Sequence, residues 1–404
     1  MTTFFSSVQT FMSGIEADRQ RSLQASVLSG DGLIEQGGRR LVNMASNDYL
    51  GLASDPQIRE AAARAAQDCG AGVGASRLVT GNHPLFVEVE EKLAALKGTE
   101  TALLFNSGFQ ANAGLLAALL DGRLHGLRGR APKVRLFTDR LNHASLHFGI
   151  AASGAVQKRF RHNDLDHLEE LLEQSNPEEG PAIVVTESVF SMDGDRLDVG
   201  RIRRLAQQYD VFLMIDEAHA SGVLGLNGMG LCAHDRSENY DSAELVMGTF
   251  GKALGSFGAY AACSDVMKQY LVNRCSGLIY STGLPPAVLG AMSAALDRVP
   301  KMEAERAHLQ GLSDRLRERL GMLGLDSLDS STQIVPVVLG SDQRVMSVAK
   351  ALKERGYLVG AIRPPTVPEG TGRLRITLSA AHSCEQVEGL LSGLKDILEN
   401  GGPL

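Results

Sequence analysis

Six short runs of almost unbroken apolar residues constrain this chain more than anything else in it: TALLF (101–105), VRLFT (134–138), AIVVT (182–186), VFLMI (211–215), ELVMG (244–248) and AYAAC (259–263). A strand that is apolar on both faces has to be covered on both faces. A mostly parallel sheet between two layers of helices provides that cover, whereas a sheet with one wet face alternates polar and apolar residues. Helical spacing over 83–97, 108–120, 165–174 and 198–208 supplies the covering layers, so the central part of the chain predicts an α/β domain.

The pattern changes after Leu284-Pro285-Pro286. Residues 302–323 place Leu309, Leu312, Leu316, Leu320 and Leu323 at three- and four-residue spacing, a stripe expected to pack into a core. Strand-like 333–340, a helix near 343–355, strand-like 357–362 and 373–378, and an amphipathic helix over 385–398 predict a smaller α+β domain. A chain of 404 residues exceeds one ordinary core, which agrees with two units. The expected division is 1–44 as an N-terminal helix and strand packing on the small domain, 45–290 as the large domain, and 291–404 as the small one.

Composition narrows the function by exclusion. The chain carries 40 Lys and Arg against 47 Asp and Glu, a net charge of −7, which argues against general nucleic-acid or acidic-membrane binding. Cys69, Cys232, Cys263, Cys275 and Cys384 are scattered, with no Cys-x-x-Cys pair and no zinc-like spacing, so no metal site is expected and a reducing compartment is. The first twenty residues lack a basic leader followed by an apolar run, and no apolar stretch approaches the ~20 residues of a membrane span. A cytoplasmic protein is expected. Gly70–Ala75 satisfies the dinucleotide pattern G-x-G-x-x-A, but it follows a helical stretch and not a strand. Asp216-Glu217-Ala218-His219 resembles a helicase box, yet the chain has no phosphate loop to accompany it.

Three features lie at predicted strand ends, where open α/β sheets place their ligands. Asn106-Ser107-Gly108-Phe109 leaves a strand and opens a helix, whose free backbone N–H groups suit a phosphate. Asp216 follows the most apolar strand, with His219 three residues on; a carboxylate there needs a partner, and a pyridinium nitrogen is a suitable one. Lys252 sits in the glycine-rich turn GTFGKALG, 36 residues after Asp216, where partial desolvation lets its amine lose a proton and form an imine with an aldehyde. Phosphate, pyridine nitrogen and aldehyde together describe pyridoxal phosphate.

The stretches SNDYLGL, LFNSGFQAN, DRLNHASL, TESVFSMDGD, MIDEAHASG, GTFGKALG, IYSTGLPP and RLRITLSAAH resemble the α-oxoamine synthases, a family of fold-type I pyridoxal phosphate enzymes. The resemblance covers nearly the whole chain from Asn47 onward. It implies the fold of that family and a homodimer with shared active sites. It implies that Lys252 carries the cofactor and moves protons, Asp216 pairs with the ring nitrogen, His219 meets the ring's phenolic oxygen, and His143 stacks on the ring and helps place the acyl carbonyl. Gly108 and Phe109 hold the phosphate by their amides with Thr249 adding a hydroxyl, and Ser191 touches the cofactor. Ser281 and Thr282 reach the phosphate from the neighbouring subunit. Arg375 takes the amino acid's carboxylate, and Arg21, Asn47, His143 and Thr366 complete the substrate side.

Within the family, residues 361–375 (AIRPPTVPEGTGRLR) resemble the branch that joins L-alanine to a pimeloyl thioester, carried on coenzyme A or acyl carrier protein, for biotin synthesis. The implied reaction is a decarboxylating Claisen-type condensation that releases CO2 and free thiol. A glycine-using relative such as glycine C-acetyltransferase, or a catalytically silent partner subunit of the same fold, is the alternative. Residues 121–135 are longer than the family's usual connection and carry Arg123, Arg128, Arg130, Lys133 and Arg135; they read either as a solvated loop or as a docking patch for an acidic carrier.

Overall fold

The computed structural model describes residues 3–15, 20, 22–124, 134–234 and 244–399. Helix α1 (Thr3–Ser13) opens the chain and buries no side chain. Three short strands follow in place of the single one expected: β1 (Ser26–Gly30), β2 (Leu33–Gln36) and β3 (Arg39–Met44). Helices α2 (Pro56–Cys69) and α3 (Pro84–Lys97) start at the strong N-terminal signals Asp55-Pro56 and His83-Pro84. In each, the residue before proline accepts a backbone N–H of the first turn and the proline occupies a position that needs no donor.

The large sheet is then laid down. Strand β4 (Thr101–Phe105) leads into α4 (Gly108–Leu119), and β5 (Arg135–Asp139) into α5 (Ala144–Ser153). Next come β6 (Gln157–Phe160), α6 (Leu165–Glu173), β7 (Ala182–Glu187), α7 (Val199–Tyr209) and β8 (Val211–Asp216). Strands β9 (Glu244–Thr249) and β10 (Ala259–Cys263) complete it. The spatial order is β4-β10-β9-β8-β7-β5-β6. All six apolar runs are strands of this sheet. The seventh, β6 (QKRF), is an edge strand with exposed polar residues, so apolar continuity could not mark it.

Strand β10 runs antiparallel to both of its neighbours, while β5 to β9 pair in parallel. Every strand except β10 therefore points the same way, and the carboxyl ends of β4, β8 and β9 share one edge. Alternate residues feed two cores. Ala102, Leu104, Val184, Leu213 and Ile215 face one side; Leu103, Phe105, Val185, Met214 and Met247 face the other against α4 and α5.

After α8 (Asp265–Arg274), α9 (Ser276–Ile279) and α10 (Pro286–Arg298), the long helix α11 (Glu303–Met322) leads to the C-terminal unit. That unit comprises β11 (Ile334–Gly340), α12 (Asp342–Glu354), β12 (Tyr357–Ile362), β13 (Gly372–Thr377) and α13 (Cys384–Glu399). Its sheet has the order β1-β2-β3-β12-β13-β11, so the N-terminal strands join it through the parallel pairing of β3 with β12. Leu309, Leu312, Leu316 and Leu320 are buried as their spacing predicts. Leu323 is not: α11 ends at Met322, and one residue past the last turn the stripe no longer points at the core.

Among the described residues no helix is long and apolar enough to cross a membrane. All five cysteines are free thiols.

Candidate functional site

Lys252 lies just past the end of β9, and its turn is shaped by close backbone approaches. Gly255, with φ +62°, sits where a Cβ would come within 2.4 Å of the Leu52 carbonyl carbon and 2.6 Å of the Ala53 nitrogen. Gly222, with φ +92°, sits where a Cβ would come within 2.5 Å of the Ala253 Cβ in the lysine turn. These two glycines let the lysine turn, the Asp216–His219 turn and the segment after Asn47 close on one another. Gly255→Ala is expected to destabilise the fold by more than about 1 kcal/mol, through both the positive φ and the clash, which a urea unfolding midpoint measures.

Two hydrogen-bonded chains meet at this point. In the first, Lys252 Nζ lies 2.8 Å from His219 Nε2, and His219 Nδ1 lies 2.7 Å from the Tyr49 hydroxyl. Tyr49 donates to Asn47 Oδ1 at 3.0 Å, and the same oxygen accepts both terminal nitrogens of Arg375 at 3.2 Å. The Arg375 Nε donates to the Ser191 carbonyl. In the second chain, Asn112 Nδ2 donates to Asp216 Oδ2 at 2.8 Å and to Ser145 Oγ at 2.9 Å. Ser145 Oγ lies 2.7 Å from His143 Nδ1, and the His143 backbone N–H donates to Glu187 Oε1. The Ala218 N–H donates to the other oxygen of Asp216 at 2.8 Å.

The electrostatics follow from burial and charge. Burial of its ammonium pulls Lys252 down to about 8 from an ordinary 10.5, against the raising influence of Asp216 and Glu187. Burial, reinforced by the charges of Lys252 and Arg375, holds His219 well below its usual range and therefore neutral. Burial also lowers His143, partly offset by Asp216. Glu187 stands beside Asp216 on the adjoining strand, and burial together with that negative neighbour raises it well above the usual carboxyl range.

The other residues singled out from sequence fall as follows. Gly108 and Phe109 open α4, where Ser107 caps the helix, so their amides precede the first intrahelical bond and point out of its end. Phe109 is exposed, its ring 5.2 Å from that of Phe148. Thr249 is buried and donates to the Gly258 carbonyl. Ser281 Oγ and the Thr282 carbonyl are held by Gln110 and Asn106 of their own chain. Thr366 is exposed beside a cleft of about 960 Å³ that Ser341, Ile362 and Arg363 also line, and none of the two chains around Lys252 borders that cleft. Arg21 lies outside the described residues. So do Arg128, Arg130 and Lys133 of the basic segment; of its remaining members, Arg123 is paired with Asp121, and Arg135 is buried on Ser175 and the Gly180 carbonyl.

The arrangement fits pyridoxal phosphate. An amine half deprotonated at about pH 8 stands in reach of an aldehyde, a carboxylate pinned by Asn112 and an amide has lone pairs left for a ring N–H, and a twelve-residue helix presents its first amides toward a phosphate. Asn112 Oδ1, Thr186 Oγ1 and Ser188 Oγ are also buried without a partner.

The aminotransferase class I and II family model matches residues 39–394. The 8-amino-7-oxononanoate synthase of Gluconacetobacter diazotrophicus is 50% identical over 403 residues, covering 100% of this chain and 99% of its own. The chain belongs to the 8-amino-7-oxononanoate synthase family. A second 8-amino-7-oxononanoate synthase, from Anaeromyxobacter dehalogenans, is 45% identical over 384 residues and covers 95% of this chain and 93% of its own. The solved Sphingomonas wittichii serine palmitoyltransferase is 26% identical with a TM-score of 0.85, covering 99% of this chain and 98% of its own, so the 8-amino-7-oxononanoate synthase fold here is that of the fold-type I transferases.

Tyr49, Asn112, Ser145 and Glu187 join the site without having been expected there, although each lies inside one of the resembling stretches. Asn112 carried a usable signal. It sits four residues after Gly108 on an otherwise small and apolar helix face, where a polar side chain is buried and needs a partner.

Proposed function

We propose that the chain condenses L-alanine with a pimeloyl thioester, carried on coenzyme A or acyl carrier protein, to give 8-amino-7-oxononanoate, CO2 and free thiol for biotin synthesis. The observation that carries this reading is Lys252, half-buried and pulled to about 8, joined through His219, Tyr49 and Asn47 to a buried arginine suited to a carboxylate. When bound, pyridoxal phosphate supplies the aldehyde that captures an amine and the ring that spreads carbanion charge. Arg375 holds the carboxylate of the amino acid and so orients its Cα toward Lys252. Lys252 removes the Cα proton and later returns one, a task suited to an amine that titrates near the working pH. Asp216, fixed by Asn112 and the Ala218 amide, would offer its carboxylate to the ring nitrogen. His143, anchored through Ser145 and Glu187, would place the incoming carbonyl.

The reading extends to a cytoplasmic homodimer. Leu78, Val79, Phe109 and Tyr280 are exposed around the start of α4 and the Ser281-Thr282 segment, an apolar surface for a second copy whose Ser281 and Thr282 approach the phosphate. Five free thiols agree with a reducing compartment.

A thiol-release assay tests the substrates by crossing L-alanine, glycine and L-serine with pimeloyl, acetyl and succinyl thioesters. Greatest kcat/KM is expected for L-alanine with the pimeloyl donor. The preference over glycine is on the order of tenfold or more, since one methyl group in a pocket is worth about 1–3 kcal/mol. Highest turnover with glycine and a short donor refutes the assignment.

A further inference from the structure

Two turns that carry site residues meet at an imidazole ring outside the chains around Lys252. His162 lies just past β6; its Nδ1 is 3.1 Å from Asp139 Oδ1, at the end of β5, and its Nε2 is 3.2 Å from Asp195 Oδ2. Asp193 Oδ2 stands 3.7 Å from the same Nε2, and the ring meets that of Phe190 edge-on with centroids 4.4 Å apart. A neutral imidazole has one N–H and one bare nitrogen, whereas a carboxylate only accepts. Neither facing oxygen is placed to donate to a bare nitrogen. Asp139 Oδ1 already accepts the Leu141 N–H at 2.7 Å, and Asp195 Oδ2 already accepts Asn163 Nδ2 at 2.7 Å. Asn163 Nδ2 also donates to the Arg196 carbonyl, which settles the orientation of that amide. The ring of His162 therefore carries both protons. Burial alone would lower it, but the bonds and charges of Asp139 and Asp195 more than reverse this and push it up to about 10.

We propose that His162 is a positioning residue, an imidazolium that clamps Asp139, Asp193 and Asp195 together and so sets the turn that aims Arg375 at the amino acid's carboxylate. The role of Arg375 in that sentence rests on the proposed function. The turn runs from Phe190 to Arg196, closed by the Val189–Arg196 bridge and by the Gly194 N–H, which donates to the Phe190 carbonyl at 2.9 Å. Its Ser191 carbonyl accepts Arg375 Nε, and its Asp193 pairs with Arg373. The two arginines are two residues apart on β13 and so share one face, and that face rests on the turn. On its other side the turn is tied to the C-terminal unit, because the Ser331 N–H and the Thr332 hydroxyl both donate to the Gly194 carbonyl. Those contacts and Arg373 hold the turn to the C-terminal unit alone. His162 and its neighbour Asn163 join it to the large sheet at Asp139, where the turn leading to His143 begins. Three carboxylates thus converge on two cations, His162 and Arg373, with His147 and Glu187 the further titratable groups near Asp139. Without the charge of His162 the three carboxylates repel one another around a single guanidinium, and the Ser191 carbonyl shifts under Arg375.

Nitrogen-15 shifts of the His162 ring, read in the wild-type protein at about pH 8, are expected to show both nitrogens protonated, where a free histidine is neutral. One bare nitrogen overturns the proposal, and this measurement needs no variant to fold. His162→Gln keeps a hydrogen-bond donor and removes the charge. In that variant loaded with pyridoxal phosphate, a visible-absorbance titration is expected to show the affinity for L-alanine falling about tenfold, while the affinity for the cofactor changes by less than about threefold. An unchanged amino-acid affinity, or an equal loss of both, overturns the proposal, because the clamp acts on Arg375 and a general loosening acts on both. Adding Asp195→Asn to His162→Gln removes one of the carboxylates left unbalanced and is expected to recover about threefold or more of the lost amino-acid affinity. A double variant no better than His162→Gln shows that the ring only fills space, and the proposal falls. A wild-type protein that binds glycine or L-serine more tightly than L-alanine strikes the proposed function instead; the same comparison, made with that amino acid, then judges the clamp.

Discussion

Replacing Lys252 with alanine is expected to abolish measurable turnover, a loss of at least about a thousandfold, because one residue serves as the covalent anchor and as both acid and base. The position has no substitute. His219, the nearest titratable group, is held neutral by burial and is already committed to Tyr49 and Lys252. His143 is committed to Ser145. The variant should also lose the visible absorbance of lysine-linked pyridoxal phosphate, so an assay of thiol release and a spectrum of the purified protein read the same event twice; full turnover in the variant refutes the assignment. The pH behaviour of the wild-type lysine follows from its environment. Only the neutral amine attacks an aldehyde, and burial brings Lys252 to about 8. The rate at which protein stripped of cofactor takes up pyridoxal phosphate should therefore climb through about pH 8 and level above it. A lysine at the ordinary 10.5 would still be climbing.

The second large effect concerns stability. Lys97, the last residue of α3, is completely buried and paired with the completely buried Glu217, the residue after Asp216. Its ammonium also donates to the Met229 carbonyl at 2.7 Å, while the second oxygen of Glu217 accepts the Cys232 N–H at 2.8 Å. Burial alone would lower Lys97; the charge of Glu217 more than reverses this and leaves it raised, so the lysine stays charged. Lys97→Met strands the carboxylate in the core and is expected to cost about 3–5 kcal/mol. The double replacement Lys97→Met with Glu217→Gln removes the stranded charge and should recover a large part of that loss. Urea unfolding of the wild type, Lys97→Met, Glu217→Gln and the double variant completes the cycle, and a Lys97→Met midpoint equal to the wild type shows that the pair does not support the fold. Because Glu217 adjoins Asp216, the single variant should also bind pyridoxal phosphate more weakly.

The large sheet was legible because its strands announce themselves by composition. A run such as VFLMI has no polar residue to expose, so only a strand covered on both faces accommodates it, and β8 is such a strand. QKRF, at the sheet's edge, has no such constraint and was invisible. The same logic limits the α11 stripe: three- and four-residue spacing is a property of a helix, and Leu323 lies just beyond where the helix ends. The N-terminal strands were hidden for a different reason. SVLSG and LIEQ are short and half polar, and they become strands only by adding, through β3, to a sheet whose remaining strands lie about 300 residues away.

For the site, sequence alone determined the chemical types and their placement at strand ends: Lys252, Asp216 and the Gly108-Phe109 helix start each sit where a parallel sheet leaves its carboxyl edge open. Tertiary structure decided which groups speak to which. Nothing in the spacing of Asn47, Tyr49, His219, Lys252 and Arg375 predicts that they form one hydrogen-bonded line, because hydrogen bonds reach about 3 Å and depend on the mutual orientation of segments far apart in the chain. That orientation is set when Gly222 and Gly255 let three turns close on one another, and with it the depressed basicity of His219 and the lowered proton affinity of Lys252.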